Sequence, residues 1–329
     1  MPHYEYKKAL VTGGAGFIGS HIVERLISAG MDVTVIDDLS VGRIENMPKG
    51  ARFYRASILD PSVVSKALEG VDVVFHNAAR VSIRNSFEDA VKDTETNVLG
   101  TVSLLKECAR AGIKKFIFAS SMAVYGSGAA LPLVEDASLS PESPYGTGKL
   151  AGESYLRQIS GHCGFDGVVL RYFNTYGPRQ TFTPYVGLIT IFITRLLQGK
   201  PPVIFGQGTQ VRDFVHVKDV AEANLQAMLK ANHGAVINVG TGVGTSVAEI
   251  AALLLNKLAP DIDPLFAPIP PGEPMDSVAD VSAMDRILGF VSTRRLSEML
   301  GEVIEEKKTL MAIDSAESRL ADRHLGRAN

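Results

Sequence analysis

Short runs of apolar residues near the start of the chain give way to helical spacing, and the exchange repeats. Lys8-Ala9-Leu10-Val11-Thr12 and Val33-Thr34-Val35-Ile36 are strand-like, and between them Phe17, Ile18, Ile22 and Leu26 share one face of a helix. Further strands are predicted at 51–55, 71–76, 115–119 and 168–171, with helices at 61–68, 87–111 and 143–159. Asp60-Pro61 reads as an N-cap followed by proline at the first helical position. This alternation predicts an α/β fold with a doubly wound parallel sheet. From Asn174 onward the pattern loosens, and Pro178, Pro201, Pro202, Pro260, Pro264, Pro268, Pro270 and Pro271 punctuate shorter elements. Ser246-Val247-Ala248-Glu249 fits a capping box opening a helix that runs to Lys257, and 294–313 predicts a surface helix charged on one face.

Composition narrows the class. The chain has 329 residues, 46% hydrophobic content and a formal charge of −3, which carries no footprint of nucleic-acid binding. Its longest apolar stretch, 185–194, is far shorter than the roughly 20 residues that span a bilayer. No membrane segment is expected. Met1 to Lys8 lack the apolar core of a signal peptide, and Cys108 and Cys163 form no C-x-x-C, so a cytoplasmic protein with buried thiols is expected. No H-E-x-x-H or paired Cys/His spacing predicts a metal, and His76 reads as packing at a strand end.

The first strand leads into Gly13-Gly14-Ala15-Gly16-Phe17-Ile18-Gly19, with glycines 13, 16 and 19 spaced G-x-x-G-x-x-G. Residues without side chains allow a sharp turn and let backbone N–H groups approach a pyrophosphate at the positive end of the helix. The second strand ends in Asp37-Asp38, where an acid belongs that accepts from a ribose diol and repels a 2′-phosphate. NAD is therefore favoured over NADP, with Arg43 able to soften that preference. The sheet becomes a Rossmann-type NAD-binding domain over 1–172, to which about 213–240 returns. The remainder, 173–329, is expected to be mainly a smaller mixed α/β substrate lobe.

Tyr145 stands four residues before Lys149, downstream of Ser120-Ser121. On a helix, i and i+4 share a face, so an ammonium belongs beside the phenol. Tyrosine has a pKa near 10 and needs a drop of about 3 units, roughly 4 kcal/mol, to act as a base at neutral pH. A cation about 4 Å away at an effective dielectric near 20 contributes about that much. The expectation is a phenol shifted toward neutrality.

Thr12 to His21, His76-Asn77-Ala78-Ala79, Asn97-Val98-Leu99-Gly100-Thr101, Ser120 to Gly126 and Tyr145-x-x-x-Lys149 together resemble the extended short-chain dehydrogenase/reductase family, in its NAD-dependent epimerase/dehydratase group. Arg171 to Arg179 and Arg212 to Val217 extend the resemblance, which covers roughly residues 8 to 290 and is nearest to enzymes of UDP-glucose 4-epimerisation. The resemblance implies that Ser121 and Tyr145 bond a sugar's 4-hydroxyl, that Tyr145 takes its proton, and that Lys149 holds the nicotinamide ribose. It implies an NAD site of Gly13, Gly16, Phe17, Ile18, Gly19, Asp37, Asp38, Ser40, Gly42, Ser57, Ile58, Ala78, Ala79, Arg80, Asn97, Lys149 and Tyr172. Ser82, Ser121, Met122, Tyr145, Asn174, Arg212, Glu273 and Ser277 are implied around a UDP-sugar. A homodimer through helices 87–111 and 143–159 is expected by analogy.

Residues after the catalytic serine bear on the reaction. Sugar 4,6-dehydratases carry an Asp-Glu pair where this chain has Met122 and Ala123, decarboxylases keep a glutamate where it has Ala123, and 3,5-epimerases place a cysteine beside the serine. Simple 4-epimerisation, UDP-glucose with UDP-galactose, remains. Ser57 replaces an aspartate that faces adenine in relatives, and Pro270 replaces an arginine. Ser277 stands where hexose-restricted relatives carry tyrosine, which leaves UDP-N-acetylglucosamine open as a substrate, and UDP-glucuronate after it. A non-catalytic NAD sensor and a dehydrogenase of lipid alcohols are the readings from other classes.

Overall fold

The computed structural model describes residues 5–181, 187–269 and 276–325, with side chains as far as 313. Its elements are β1 (Lys8–Thr12), α1 (Phe17–Ser28), β2 (Asp32–Asp37), β3 (Arg52–Arg55), α2 (Pro61–Ala67), β4 (Val73–His76), α3 (Ile83–Glu88), α4 (Ala90–Thr94), α5 (Thr101–Ala111), β5 (Lys115–Ser121), α6 (Pro144–Cys163) and β6 (Asp166–Tyr172). They continue with β7 (Asn174–Tyr176), α7 (Leu188–Leu197), β8 (Val203–Phe205), β9 (Val211–His216), α8 (Val217–Lys230), β10 (Val236–Val239), β11 (Gly244–Ser246), α9 (Val247–Leu258), β12 (Leu265–Ala267), β13 (Asp276–Ser277) and α10 (Leu296–Leu325).

Seven parallel strands form the main sheet in the order β10-β6-β5-β4-β1-β2-β3. Both faces are covered, which is why the strands read as nearly continuous apolar runs. Ala9, Val11, Val35, Phe75 and Val168 pack with Ile22 and Leu26 of α1 and Val220 and Met228 of α8 on one face. Leu10, Ile36, Val74 and Phe116 pack with Leu104, Leu105 and Leu156 on the other. Each such fully buried side chain contributes about 1.5–3 kcal/mol. The chain runs outward from β1 to β3 and then crosses back to β4, so the strand order reverses between β1 and β4. A crevice opens there at the carboxyl ends, the place where such sheets bind ligands. β10 pairs with β6 at the far edge, carried back to this sheet by α8.

A second sheet joins β11, β13 and β7 to the central β9. Beneath it lies a third core of Tyr176, Phe192, Ile193, Leu254, Leu300 and Val303. The capping box is present, with Glu249 N donating to Ser246 Oγ at 3.1 Å and Ser246 N to Glu249 Oε2 at 2.7 Å. Asp60 caps α2 by accepting from Ser62 N and Val63 N.

Three local expectations need correction. The predicted helix 87–111 is interrupted at Asp89, whose backbone leaves helical geometry (φ −139°, ψ 66°) while its side chain caps α4, and Glu95–Gly100 winds as a π-helical turn before α5. The terminal helix is longer than 294–313, and it buries Leu300, Val303, Ile304 and Lys307 instead of only lying on the surface. Cys108 is buried and its thiol is pushed well above its ordinary range, whereas Cys163 is exposed at the end of α6. Among the described residues, no helix is long and apolar enough to cross a membrane, and no cluster of three metal-ligating side chains occurs.

Candidate active site

The turn after β1 sits at the mouth of the crevice. Gly13 (φ +68°) donates its N–H to Ile36 O at 2.8 Å, and a Cβ there would lie 2.7 Å from Ala78 N. A Cβ on Gly19 would come within 2.1 Å of Gly13 O. The helix thus starts directly against the turn, and only glycine permits either approach. Gly16 is the N-cap of α1 and supplies no side-chain acceptor, so the first N–H groups, including those of Phe17 and Ile18, are uncapped toward the crevice. Beside them the buried Asn77 Oδ1 has no hydrogen-bond partner among the described residues. The glycine cradle and the bare helix N-terminus supply donors that fit a dinucleotide pyrophosphate, whereas the Asn77 acceptor suits a hydroxyl or N–H donor.

Asp37 is buried rather than a solvated strand-end acid. Oδ2 accepts from Ala15 N at 3.0 Å and Oδ1 from Leu39 N at 2.9 Å, so the carboxylate also fastens the glycine turn to the loop after β2. Burial raises its pKa and these N–H groups oppose the rise. Asp38 is exposed and accepts from Ser40 N, and Gly42 faces the Asp37 carboxylate. Arg43 N and Asn46 Nδ2 both donate to Ala15 O at 3.0 Å, closing this loop over the turn. Ser57 Oγ accepts from Leu59 N, and the buried Ile58 packs on Gly100. Tyr172 turns its hydroxyl to Asn224 of α8 and stays protonated by burial, leaving its ring and backbone to line the sheet end.

After β4, Ala78, Ala79 and Arg80 are half-buried at the crevice. Asn97 holds that loop reciprocally, accepting from Arg80 N at 2.9 Å and donating to Arg80 O at 3.0 Å. The π turn is what aims Asn97 inward. Thr101 Oγ1 donates to Asn97 O, so it accepts from His76 Nε2–H (2.9 Å), and His76 Nδ1 in turn accepts from Thr12 Oγ1 (2.7 Å). Thr12 Oγ1 accepts from Ala78 N. His76 is therefore a neutral strut, held at about 3 by burial and then by Lys149.

Ser121 ends β5 with its Oγ accepting from Ala123 N at 3.2 Å, near enough to the Tyr145 hydroxyl to favour its ionised form. Ser143 caps α6 with Pro144 at N1, which fixes Tyr145 in the first turn and Lys149 one turn on. Lys149 is buried, and its Nζ donates to Ala119 O at 2.7 Å and lies 5.9 Å from the Tyr145 ring centre. Here the expected neutral-range phenol is corrected. Burial pushes Tyr145 up to about 12, against the opposing influence of Ser121, and the Asp93 carboxylate adds to the rise. Burial lowers Lys149 to about 8, with Asp93 and Glu153 opposing.

Behind the site runs a charge network that pattern reading did not assign. Arg171 of β6 binds Glu153 of α6 at 2.8 and 3.0 Å, and Ser120 Oγ donates to Glu153 Oε1 at 2.5 Å. Arg171 also donates to Tyr125 Oη at 2.9 Å, and Tyr125 donates to Asn238 Oδ1 at 2.6 Å. Asn238 Nδ2 reaches Leu133 O at 2.8 Å.

The second sheet collects the other candidates. Ser277 pairs with Arg212 across β13 and β9, Asn174 pairs with Phe214, and Asn174 Nδ2 lies 3.3 Å from Ser277 Oγ. Ser277 is fully buried and Arg212 nearly so. Ser82 is partly committed as the cap of α3, and Met122 is half-buried beside Ser121. Glu273 and Pro270 lie outside the described residues. Asp213, also unassigned from sequence, accepts from Thr241, Gly242 and Ala279 and so ties β9 to the segment after β13.

Comparison with known proteins agrees with this geometry. The model of the NAD dependent epimerase/dehydratase family matches residues 9–240. A UDP-glucose 4-epimerase of Mycolicibacterium smegmatis is 36% identical over 91% of this chain and 97% of its own. The UDP-glucose 4-epimerase of Thermotoga maritima, solved with UDP-glucose, superposes with a TM-score of 0.89 at 39% identity over 92% of this chain and 99% of that one. A UDP-N-acetylglucosamine 4-epimerase of Methanobrevibacter ruminantium superposes equally, 0.89, at 36% identity over 93% and 100% of the two chains.

Proposed function

The chain belongs to the NAD dependent epimerase/dehydratase family and is an NAD-dependent UDP-sugar epimerase, and from that premise we propose that it interconverts UDP-glucose and UDP-galactose at C4. The observation that carries the proposal is the placing of Ser121 at the carboxyl end of β5 beside the buried Tyr145, with Lys149 one helical turn on and the glycine turn across the crevice.

Tyr145 and Ser121 both bond the sugar's 4-hydroxyl. Bound NAD supplies a hydride acceptor that returns the same hydride, so there is no net oxidation. Tyr145 takes the hydroxyl proton as C4 becomes a ketone and gives it back after the sugar has turned over. Burial holds the Tyr145 phenol at about 12, so its own proton must leave before it can take the sugar's. The Lys149 ammonium stabilises the phenolate from which the forward step starts, the phenol left by that step gives the proton back in the second, and Lys149 also holds the nicotinamide ribose. Gly13, Gly16 and the first turn of α1 hold the pyrophosphate, Asp37 the adenosine ribose, and Ser57 and Ile58 the adenine. Asn174 and Arg212 hold the nucleotide diphosphate, which Arg212 suits by its planar fork. Met122 and Ala123 offer no acid for elimination or decarboxylation, which supports plain epimerisation.

One observation favours UDP-N-acetylglucosamine as a second substrate. Ser277, buried beside Asn174, is a small residue where relatives restricted to hexoses carry tyrosine, and that difference supports admission of a 2-acetamido sugar. A homodimer and a cytoplasmic setting belong to the same reading: Leu99 and Tyr155, 54% and 43% exposed near the α5/α6 face, offer apolar area to a second copy, and sedimentation tests this. The deciding experiment supplies UDP-galactose, UDP-N-acetylgalactosamine and UDP-galacturonate separately, without added NAD. The matching gluco epimer from the first is expected. Conversion of none, even with NAD added, overturns the reading.

A further inference from the structure

Two buried carboxylates lie near Lys149, and they are not equivalent. Glu153, on the next turn of α6, spends both oxygens on Arg171 and one also on Ser120, so its charge is neutralised locally. Asp93, on α4, is 1% exposed, and its Oδ2 has no hydrogen-bond partner among the described residues. Gly148, adjacent to Lys149, lets α4 approach: a Cβ there would lie 3.7 Å from Asp93 Oδ1 and 3.3 Å from Asn97 Cβ. A buried carboxyl with a free oxygen takes up a proton unless donors and cations face it; burial raises Asp93, and Asn97, then the Arg80 and Lys149 charges, oppose the rise.

We propose that Asp93 is a positioning residue, the counter-ion that keeps Lys149 charged and sets the pH window in which the Tyr145–Lys149 pair works. The proposal rests on the epimerase reading for its kinetic arm only. The charged and titratable groups facing the pair are Asp93 from α4, Glu153 from α6, and the neutral His76 from β4. Arg80, from the loop after β4, is the other cation near Asp93. Asp93 acts with the same sign on both members: its negative charge raises Lys149 and Tyr145 alike. Removing it therefore lowers both, and the whole activity profile moves toward acid rather than narrowing.

The test uses D93N, which keeps the shape and removes the charge, with D93E as the charge-retaining control. In protein labelled with 13Cε-lysine, the Lys149 signal, assigned by its loss in K149M, is followed against pH without substrate. D93N is expected to lower its midpoint by about one pH unit or more, and to shift both limbs of the kcat profile for UDP-galactose in the same direction. D93E should keep both near wild type. A loss of rate at every pH with unmoved limbs and an unmoved lysine midpoint would mean packing alone and would overturn the proposal. If D93N does not fold, D93S takes its place in the same titration, and a Lys149 midpoint that stays at the wild-type value overturns the proposal. Absence of any UDP-galactose conversion by wild type, with the lysine shift present, would sink the substrate reading and not this one.

Discussion

Arg171 and Glu153 meet edge to edge beneath the catalytic strand, Nη2 to Oε2 at 2.8 Å and Nε to Oε1 at 3.0 Å, with both side chains almost fully buried. Such a pair is weak evidence of net stability, because desolvation offsets much of the attraction. Its geometric effect is clearer. It joins α6, which carries Tyr145 and Lys149, to β6, and through Ser120 to the end of β5.

Breaking the pair from one side leaves a buried charge. Arg171→Leu is expected to cost about 3–5 kcal/mol of unfolding free energy, read from urea denaturation. Combining it with Glu153→Leu should cost less than the two single changes added together. Simple additivity would show that the two side chains are not coupled.

Tyr145→Phe keeps the ring in place and removes the proton. The epimerase rate is expected to fall at least about 100-fold, while NAD released on acid precipitation stays at the wild-type ratio. Wild-type turnover by this variant would exclude the phenol as the acid–base group.

Gly19→Ala places a methyl 2.1 Å from Gly13 O, against backbone that has no rotamer to yield. The turn must open, so NAD content should drop sharply even where the sheet survives by circular dichroism. Full NAD occupancy would show that the turn tolerates the displacement.

The glycine turn, the acid after β2 and the Tyr145–Lys149 pair were legible because each depends on local spacing: a turn, a strand end, one helical turn. The buried supports were not. Asn238 meets Tyr125 across 113 positions and Arg171 meets Glu153 across 18, contacts that only the strand order creates. The motif containing Arg171 was visible, but nothing in it named Glu153 as its partner. The phenol's acidity was misjudged for a related reason. Spacing puts Lys149 on the face of Tyr145, but it does not reveal that the ammonium turns to Ala119 O or that burial dominates the phenol. Asp89 and the π turn at 95–100 break a helical pattern whose apolar periodicity is otherwise continuous.

Acid should weaken the fold through its buried histidines. His76 is held at about 3 and His21 at about 4, against about 6.5 in an unfolded chain, so the unfolded state binds protons that the native state refuses. Their contribution is complete above about pH 6.5 and is lost as pH falls toward the folded values, at up to about 1.4 kcal/mol per pH unit for each. His76→Gln removes one such proton. Comparing urea midpoints between pH 7 and 4.5, the variant should lose stability less steeply than wild type, whatever its stability at pH 7. Parallel slopes would mean that His76 is already protonated in the fold.

Ser277 offers the sharpest test of substrate range. Its hydroxyl is fully covered and lies 3.3 Å from Asn174 Nδ2, on the strand that pairs with Arg212. A phenol built there must displace Asn174 or project into the sugar's space. Ser277→Tyr is therefore expected to depress kcat/KM for UDP-N-acetylgalactosamine more than for UDP-galactose, by about tenfold or more, the scale of one poorly fitting group in a pocket. A pocket narrowed at the acetamido position acts through shape, so the difference should appear as a change in the ratio of the two substrates rather than as a common loss. An equal loss for both would mean that Ser277 supports Asn174 alone, and that specificity is set elsewhere in the lobe.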